Sequence, residues 1–547
     1  MFVYKKLNIY LMTRDRTLLL LLLAMVFVIY VPFLGNPFIF DDLNFLIVDV
    51  YQHYSGDLFK FELRWLPYVS LGQTYILFSN IHTYLYHAVN LLLHAATVIA
   101  LFYWLRKITV TLIHNSENDL RIRWSTWLGA LIFAVHPVAV YATGYIIQRS
   151  IVMATLFVLL MQLAYMRMLI SGQWRWLLLT VLAYFLAVYS KEHSVLAPAL
   201  LAAETILLRG QIRCSFRVLG ITWLALVLVG VHIVLLAKGV FGVPYEPMAS
   251  ALFEQQQLVA GTPELFVLSV LTQAGLFFKY LGLWLLPNPA WMSIDMRVPF
   301  LVSTTSWQAV LGGVTFVSYG IVGIWFLRRP RWQGLLGLAM LYPWLLFLVE
   351  FSSIRVQETF VLYRSYLWMP GLMLLIPLLV LKVPGRNTLL GIGAVVLLLL
   401  PLSWNRLWVF GDNYRLWNDA ALLLKNEQVE GADRIFYNRG ISPSPDKKSD
   451  DSVADLQRAL ALSPKMAQLH YALGNEYFKT SRLEDALIQF DEAIKLDPKD
   501  AQSYFSKGII LKRKHEDVLA LQQIQKACEL KNVSACMIVS MSKNVQK

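Results

Sequence analysis

Two adjacent carboxylates, Asp41 and Asp42, lie in the sequence FIFDDLNF (38–45), which follows the first long apolar run of the chain. The flanking aromatic side chains favour the membrane–water interface. A carboxylate in this position can act as a general base on a substrate that meets a membrane-bound reactant. The alternative is a solvated turn after a helix. A divalent cation is also possible here, with Asp41 and Asp42 as its ligands, although two carboxylates alone do not define such a site.

Further polar residues fall at the predicted outer ends of apolar segments. Ionisable groups near the bilayer edge are costly unless they pair or line a wet cavity, so together they form a site hypothesis. The candidates are His136, Gln148, Arg149, Lys191, Glu192, His193, Glu358, Tyr363 and Arg364. Simpler interpretations are that His136 caps a helix end before Pro137, and that 191–193 is a solvated turn. Arg149 lies in an otherwise apolar run and requires an anionic partner nearby.

The composition is that of a polytopic membrane protein: 547 residues, 57% hydrophobic, 15% charged, mean hydropathy +0.54. The net charge of +13 does not indicate nucleic acid, because Lys and Arg cluster in short loops between apolar runs. The cysteines, Cys214, Cys528 and Cys536, have no metal-binding spacing. Cys528 and Cys536 are interpreted as small core residues, or as a pair if they lie in an oxidising compartment.

The elements that must position these residues are long apolar segments, the first of which is predicted to be an uncleaved transmembrane helix. The predicted spans are 17–34, 82–104, 125–142, 146–167, 176–190, 194–209, 217–238, 307–328, 333–350, 366–382 and 387–404. With a cytoplasmic N-terminus, every basic loop falls on the cytoplasmic side. The apolar region 263–286 would break this agreement as a crossing, so it is predicted to be a re-entrant, hairpin or interfacial helix. About eleven crossings then place the C-terminus in a periplasm or lumen.

The predicted fold class is all-α, with a membrane domain over 1–404 and a repeat domain over 432–547, joined by a connecting helix in 405–431. Segments 38–81 and 239–306 are the large outer loops of the membrane domain. In the tail, Gly440, Gly474 and Gly508 recur every 34 residues, as do other small residues and prolines. This is the tetratricopeptide pattern, and it predicts about three stacked helical hairpins that form an α-solenoid.

The outer cations and carboxylates suit one type of reaction. A lipid phosphate lies at the headgroup plane, where Arg and Lys can stabilise the charge that grows on it as it leaves. A carboxylate across the pocket can take the proton of an acceptor hydroxyl. These steps describe sugar transfer from a polyprenyl phosphate, and no dinucleotide-binding, P-loop or serine-hydrolase motif indicates a different reaction.

The chain resembles the GT-C superfamily of membrane glycosyltransferases, and most of all the transmembrane-and-tetratricopeptide (TMTC-like) O-mannosyltransferases and their bacterial relatives. The resemblance is carried by the repeat tail and four motifs: FDD (40–42), YHxxNxxxH (86–94), HPV (136–138) running to QRS (148–150), and SKE (190–192). It implies a lipid-phosphate-linked sugar donor, inverting transfer and a base at Asp41 or Asp42. The ring of outer polar residues predicts the donor-phosphate contacts, from Arg149, Lys191, Arg364 and His136, supported by Glu192, His193, Glu358, Tyr363 and Gln148.

The leading hypothesis is transfer to a Ser or Thr of a secreted or pilin-like protein on the periplasmic or luminal face, with the repeats helping to hold the acceptor. Its partners are then a polyprenyl-phosphate-linked sugar, the acceptor protein and the bilayer, with no nucleic acid. One alternative is a transferase or oligosaccharide ligase that modifies a lipid or envelope glycan. Another is a non-enzymatic membrane scaffold with peptide-binding repeats. No metal or other cofactor is required by the sequence.

Overall fold

The structure, a computed structural model, describes residues 2–42, 54, 58–78, 82–113, 119–237, 263–356, 358–383, 385–444 and 449–545. Much of both predicted outer loops, including 43–53 and 238–262, therefore lies outside the described residues. The chain divides into two compact units, Met1–Asp412 and Asn413–Lys547. Both units are built from helices, which confirms the all-helical fold class.

The first unit consists of long apolar helices joined by short connections. Within the described ranges, eight helices are long and apolar enough to cross a membrane, or up to ten if each of two bent helix pairs is one span. The α-helices are Phe2–Tyr30, Trp65–Phe78, Thr83–Ile113, Asp119–Ala134, Pro137–Thr143, Arg149–Ser171, Arg175–Ser190, Pro198–Leu207, Phe216–Leu236, Pro263–Leu285, Trp307–Leu327, Trp332–Phe347, Ser365–Trp368, Leu375–Lys382 and Arg386–Val409.

Two predicted spans are bent rather than straight. The predicted 125–142 is a pair of helices, Asp119–Ala134 and Pro137–Thr143, with a 60° bend between them. The predicted 366–382 is likewise bent by 54° before Pro370–Lys382. A proline follows each break, and a proline ring both removes a backbone donor and clashes with the preceding helical turn. The bends therefore follow from Pro137 and Pro370.

Two predicted membrane segments have a finer structure than the hydropathy pattern shows. The predicted span 194–209 combines a ten-residue α-helix, Pro198–Leu207, with the 3-10 turns Glu192–Leu196 and Arg209–Gln211. It leads to Arg213, whose N–H donates to the carbonyl of Leu169 at 2.8 Å, near the end of helix Arg149–Ser171. The region 263–286 is not a hairpin, because Pro263–Leu285 is one uninterrupted helix of 23 residues. Its length and hydropathy would also suit a membrane span, and the interfacial alternative stays a prediction.

Helix Pro263–Leu285 supports the segment that carries Arg364. Gln273 Nε2 donates to the carbonyl of Thr359 at 2.8 Å, and the N–H of Val361 donates to Tyr280 Oη at 2.7 Å. Further along, Trp284 Nε1 donates to Ser365 Oγ at 2.9 Å. These buried contacts satisfy polar groups of a non-helical stretch, and they fix its position along the helix.

The second unit is a series of antiparallel helical hairpins. Its α-helices are Asn413–Leu422, Ala432–Ile441, Ser449–Leu462, Ala467–Lys479, Leu483–Leu496, Ala501–Arg513, Asp517–Glu529 and Val533–Val545. The 34-residue glycine spacing has a steric cause. A Cβ on Gly440, Gly474 or Gly508 would lie 2.9, 2.9 or 2.7 Å from a side chain of the second helix of the same hairpin. Only glycine permits this close packing, in all three repeats.

A disulfide joins Cys528 to Cys536 and links the helices Asp517–Glu529 and Val533–Val545. The interpretation of these two cysteines as separate core residues is therefore wrong, and the pairing alternative holds. Cys214 is a free thiol.

Candidate active site

The two adjacent aspartates have different environments. Asp42 is buried, and both of its carboxylate oxygens accept backbone hydrogen bonds. The N–H of Ile147 donates to Oδ1 at 2.8 Å, and those of Ile39 and Ile146 donate to Oδ2 at 3.2 and 3.4 Å. Burial raises the pKa of Asp42 to about 8, and these three donors only partly offset that rise. Asp42 therefore ties the first outer loop to the turn at 146–148 and has no free oxygen edge for a substrate.

Asp41 is partly exposed and lies against Tyr145. Its backbone N–H donates to Tyr145 Oη at 3.0 Å, and its carboxylate hydrogen-bonds the same phenol. Burial, together with the charge of Asp41, raises the pKa of Tyr145 well above its ordinary value, so this phenol stays protonated and can donate to Asp41. The Tyr145 ring also packs edge-on against Tyr363, with ring centroids 6.1 Å apart. Tyr145 thus connects Asp41 to the residue before Arg364.

The backbone is strained beside this carboxylate. Phe40 has φ 46°, in the left-handed region, which costs a non-glycine residue about 1–2 kcal/mol. Arg64, in the same outer segment, has φ 60°. Such strain persists where the surrounding structure enforces it, and it clusters at functional sites. At Phe40 it accompanies the turn that buries Asp42 and leaves Asp41 at the surface.

Arg149 is bonded within the fold. It is fully buried, and its guanidinium is surrounded by neutral acceptors. Nε donates to Asn90 Oδ1 at 2.8 Å, Nη1 donates to Ser70 Oγ at 2.8 Å and Thr74 Oγ1 at 3.2 Å, and Nη2 donates to the Tyr86 carbonyl at 3.1 Å. These bonds join helices Trp65–Phe78 and Thr83–Ile113, and the phosphate contact of Arg149 stays a prediction. Asp41, Asp42, Tyr145 and Arg149 are called the first-loop cluster below.

A second group of ionisable residues is centred on Glu350, which is buried. Its Oε2 lies 3.0 Å from both Arg355 Nε and Arg364 Nη1, and its Oε1 lies 3.2 Å from His193 Nε2. Glu358 lies further out, 3.8 Å from Arg364. Two guanidinium groups and a histidine therefore share one buried carboxylate, which compensates the cost of burying each charge.

The turn at 191–193 extends this group outward. Arg64 makes a bidentate ion pair with Glu192, at 2.6 and 3.0 Å, and His193 Nδ1 lies 3.3 Å from the same carboxylate. Burial opposes ionisation of Glu192, but Arg64 and Lys191 outweigh it and hold its pKa well below the ordinary value. The interpretation of 191–193 as a solvated turn is therefore wrong.

Lys191 is the basic residue at the start of the turn 191–193. It is buried, and burial, helped by the neighbouring Arg64, lowers its pKa to about 7. Among the residues that the structure describes, no hydrogen bond or close ion pair to its ammonium is found. A buried ammonium of this kind is suited to meet an anion. Arg64, Lys191, Glu192, His193, Glu350, Arg355 and Arg364 are called the charged cluster below.

A cavity of about 290 Å³ borders the charged cluster. Its lining includes the charged residues Arg64, Glu192 and Arg355 and the apolar residues Ile233 and Val234. The two apolar residues belong to Phe216–Leu236, a helix with few buried side chains. The cavity thus lies between charged side chains and a helix whose surface is largely exposed. Asp41, Lys191 and Arg364 are not among its lining residues.

His136 and Gln148 are held by their local structure. His136 is buried; it caps helix Pro137–Thr143 by accepting from the Val138 N–H at 3.3 Å, and its ring stacks on Trp284 with centroids 4.3 Å apart. The helix-cap interpretation is confirmed, while Nε2 of His136 has no hydrogen-bond partner among the described residues. Gln148 is buried in the turn before Arg149, and its Oε1 has no hydrogen-bond partner among the described residues.

The sequence places Tyr145, Glu350 and Arg355 among the polar residues at the outer ends of apolar segments but gives them no individual role. Arg64 has no site role in the sequence-based prediction, because its partner Glu192 lies 128 residues further along the chain. The suggested cation at the aspartate pair does not fit Asp42, whose oxygens are occupied by backbone donors. Among the residues described, no group of three or more His, Cys, Asp or Glu side chains is arranged to hold a metal ion.

Comparison with known proteins identifies the repeats. Residues 474–514 match the TPR repeat family, which confirms the tetratricopeptide prediction. No curated protein sequence matches the chain.

Solved structures show only weak overall similarity. MamA is 21% identical over 28% of this chain and 82% of its own, with a TM-score of 0.20. The archaeal oligosaccharyltransferase AglB from Archaeoglobus fulgidus, solved with an inhibitory peptide and a dolichol-phosphate, is 13% identical over 81% of this chain and 58% of its own, with a TM-score of 0.37. The Cut9–Hcn1 hetero-tetramer of APC/C is 13% identical, with a TM-score of 0.19. At these TM-scores, no argument about this chain rests on the likeness.

Proposed function

We propose that the protein is a membrane glycosyltransferase of GT-C type that moves a sugar from a polyprenyl phosphate to a hydroxyl group. The acceptor is a Ser or Thr of a secreted protein, held near the membrane with the help of the repeats. The observation that carries the proposal is the difference between the environments of Asp41 and Asp42. Asp42 fixes the loop, while Asp41 remains accessible and connects through Tyr145 and Tyr363 to the charged cluster.

In the proposed reaction, the carboxylate of Asp41 takes the proton of the acceptor hydroxyl. The hydroxyl oxygen then bonds to the anomeric carbon of the sugar from the side opposite the phosphate. The bond between that carbon and the phosphate oxygen breaks, and the bonding pair leaves with the polyprenyl phosphate. The anomeric configuration is inverted. Asp41 is regenerated when its proton passes to solvent.

The charged cluster supplies the positive charge for the leaving phosphate. Lys191 is the ammonium best placed by charge to meet it, with Arg355 and Arg64 on the wall of the neighbouring cavity. Preorganised cations stabilise a developing oxyanion without reorganising during the reaction. The apolar lining at 233–234 suits an isoprenoid chain that enters from the bilayer. Glu350 and His193 are positioning residues, because they hold the arginines.

The outer location of the site is part of the proposal. Two independent features support it: the basic loops, which the positive-inside rule assigns to the cytoplasm, and the disulfide between Cys528 and Cys536. Disulfides persist in a periplasm or lumen and are rare in the cytosol. A cysteine-modification assay on intact cells tests this: Cys214 and a cysteine introduced in the repeats should react from opposite sides.

The direct test is transfer of labelled sugar from synthetic polyprenyl-phosphate sugars to secreted proteins by the purified full-length protein. Asp41→Asn should lower kcat by about 10²–10⁴-fold, the usual contribution of a general base, with an unchanged melting temperature. Glu427→Gln is the control, because Glu427 is an exposed carboxylate outside both clusters. If Asp41→Asn retains full activity, the proposed base is wrong. Transfer only to lipid or glycan acceptors would support the envelope-glycan alternative, and peptide binding without any transfer would support the scaffold.

A further inference from the structure

A second cavity of the first unit lies far from Asp41. It is a groove of about 710 Å³ between the helices Thr83–Ile113, Arg149–Ser171 and Arg175–Ser190. Arg106 lies 16 residues beyond Asn90 on the first of these helices, a rise of about 24 Å. Arg167 lies 18 residues beyond Arg149 on the second, a rise of about 27 Å. Since Asn90 and Arg149 bond to each other beside the first-loop cluster, the groove lies near the opposite membrane surface.

The groove has two chemically distinct parts. Its length is lined by apolar side chains, including Phe157, Leu160, Leu182 and Leu186, and its polar end carries the cations Arg106, Lys107 and Arg167. Among the described residues that line this end, Asp119 is the one carboxylate, and it pairs with Arg123 at 2.8 Å. In the described lining, the three cations Arg106, Lys107 and Arg167 therefore outnumber the carboxylate.

The positive-inside rule explains basic residues at this membrane surface but does not explain a cavity beneath them. Other basic residues predicted on this surface, such as Arg328 and Arg386, lie exposed at helix ends and do not line the groove. Arg106 and Lys107 are instead half-buried, directly above an apolar channel between helices. Arg167 is held in place by stacking on Trp176, with its guanidinium carbon 4.8 Å from the ring centroid.

We propose that this groove binds a membrane lipid with an anionic phosphate headgroup. The phosphate accepts hydrogen bonds from Arg106, Lys107 and Arg167, and one hydrocarbon chain lies against Phe157 and Leu186. Basic pockets between transmembrane helices on the cytoplasmic side are a known form of lipid-headgroup recognition. The volume lies within the roughly 300–1,000 Å³ of small-molecule sites. This lipid occupies the leaflet opposite the proposed donor, and it does not depend on the glycosyltransferase proposal.

The proposal is tested by native mass spectrometry of the full-length protein in detergent, titrated with dioleoylphosphatidylglycerol. Wild type should hold one lipid much more tightly than any further ones, and dioleoylphosphatidylcholine should not replace it. The variant Arg106→Gln/Lys107→Gln should bind about 100-fold more weakly, about tenfold for each charged hydrogen bond lost. The control Arg121→Gln/Arg386→Gln removes two exposed charges predicted on the same surface and should bind like wild type.

A second variant tests the apolar part without changing charge. Leu182 lines the groove and is 51% exposed, whereas Leu178 is 57% exposed on the same helix and does not line it. Leu182→Trp should displace the lipid, and Leu178→Trp should not. Inorganic phosphate at millimolar concentration should not compete, because it lacks the chain.

Equal binding by the charge variant and its control would overturn the proposal, as would equal binding of phosphatidylcholine or full competition by phosphate. Asp41→Asn should bind the lipid like wild type. The transfer assay and the lipid-binding assay can therefore fail independently of each other.

Discussion

The first-loop cluster and the charged cluster, which are connected through Tyr145 and Tyr363, hold their buried ionisable groups in different ways. In the first-loop cluster, Asp42 is held by backbone N–H groups, and Arg149 by neutral oxygens of Asn90, Ser70, Thr74 and Tyr86. In the charged cluster, Glu350 is held by two arginines and a histidine. The first arrangement fixes backbone geometry. The second arrangement holds several charged side chains of both signs close together. It includes a buried ammonium, Lys191, that is available to an anion.

This difference suggests a division of roles. In the first-loop cluster, neutral hydrogen bonds hold Asp42 and Arg149, and this framework gives the carboxylate of Asp41 a fixed orientation. Among the described residues, Asp42 is bonded by backbone N–H groups and by no charged side chain. A site held by ion pairs keeps its cations concentrated at one place in a low-dielectric environment, where they act strongly on a phosphate. Variants that remove one partner from each cluster test the comparison.

The largest effect is expected from Glu350→Gln. It leaves Arg355, Arg364 and His193 around a neutral amide, and breaking a buried ion pair from one side costs about 3–5 kcal/mol. Both the free energy of unfolding and sugar transfer should fall, as measured by denaturation in detergent and by the transfer assay. Glu358→Gln is the control, since Glu358 is 21% exposed and 3.8 Å from Arg364, where a pair contributes less than about 1 kcal/mol. Equal losses in the two variants would mean that Glu350 does not organise the cluster.

A smaller effect is expected from Arg149→Lys. Lysine keeps the charge but cannot reproduce the planar set of donors that reaches Asn90, Ser70 and the Tyr86 carbonyl. Unfolding free energy should fall by about 2–3 kcal/mol, the scale of one or two lost charged hydrogen bonds. The KM for the donor should not change in the protein that remains folded. A raised donor KM with unchanged stability would instead support the phosphate-binding role predicted from the sequence.

The smallest effect is expected on the donor KM when a change in pH titrates Lys191. Burial lowers the pKa of Lys191 to about 7, so its ammonium is present below that pH and is lost as the pH rises above it. Donor KM should therefore increase above pH 7, by up to about tenfold per pH unit. The phosphodiester of the donor keeps its single charge throughout this range.

Lys191→Arg should flatten this profile between pH 6 and 9, because a guanidinium stays protonated. Lys60→Arg, in the first outer segment, is the control and should keep the wild-type profile. An identical pH dependence in wild type and Lys191→Arg would show that another group titrates.

The sequence by itself determined the all-helical class and the repeat array. Apolar runs and the spacing of Gly440, Gly474 and Gly508 are local properties, and the helix pairs of the repeats contact their chain neighbours, so the pattern is sufficient to predict them. The sequence also directed attention to 41–42, 191–193 and 358–364, because ionisable groups at a bilayer edge are uncommon.

Only the tertiary structure decided what each of these groups does. The distinction between Asp41 and Asp42 depends on backbone donors about 105 residues away, at Ile146 and Ile147. The burial of Arg149 depends on four residues from two other helices, and the ion pair of Glu192 depends on Arg64, 128 residues earlier. These contacts come from residues distant in the sequence, and even the nearby pair Glu350 and Arg355 is buried by other parts of the chain. Adjacent, chemically identical side chains can therefore have different roles once the helices pack.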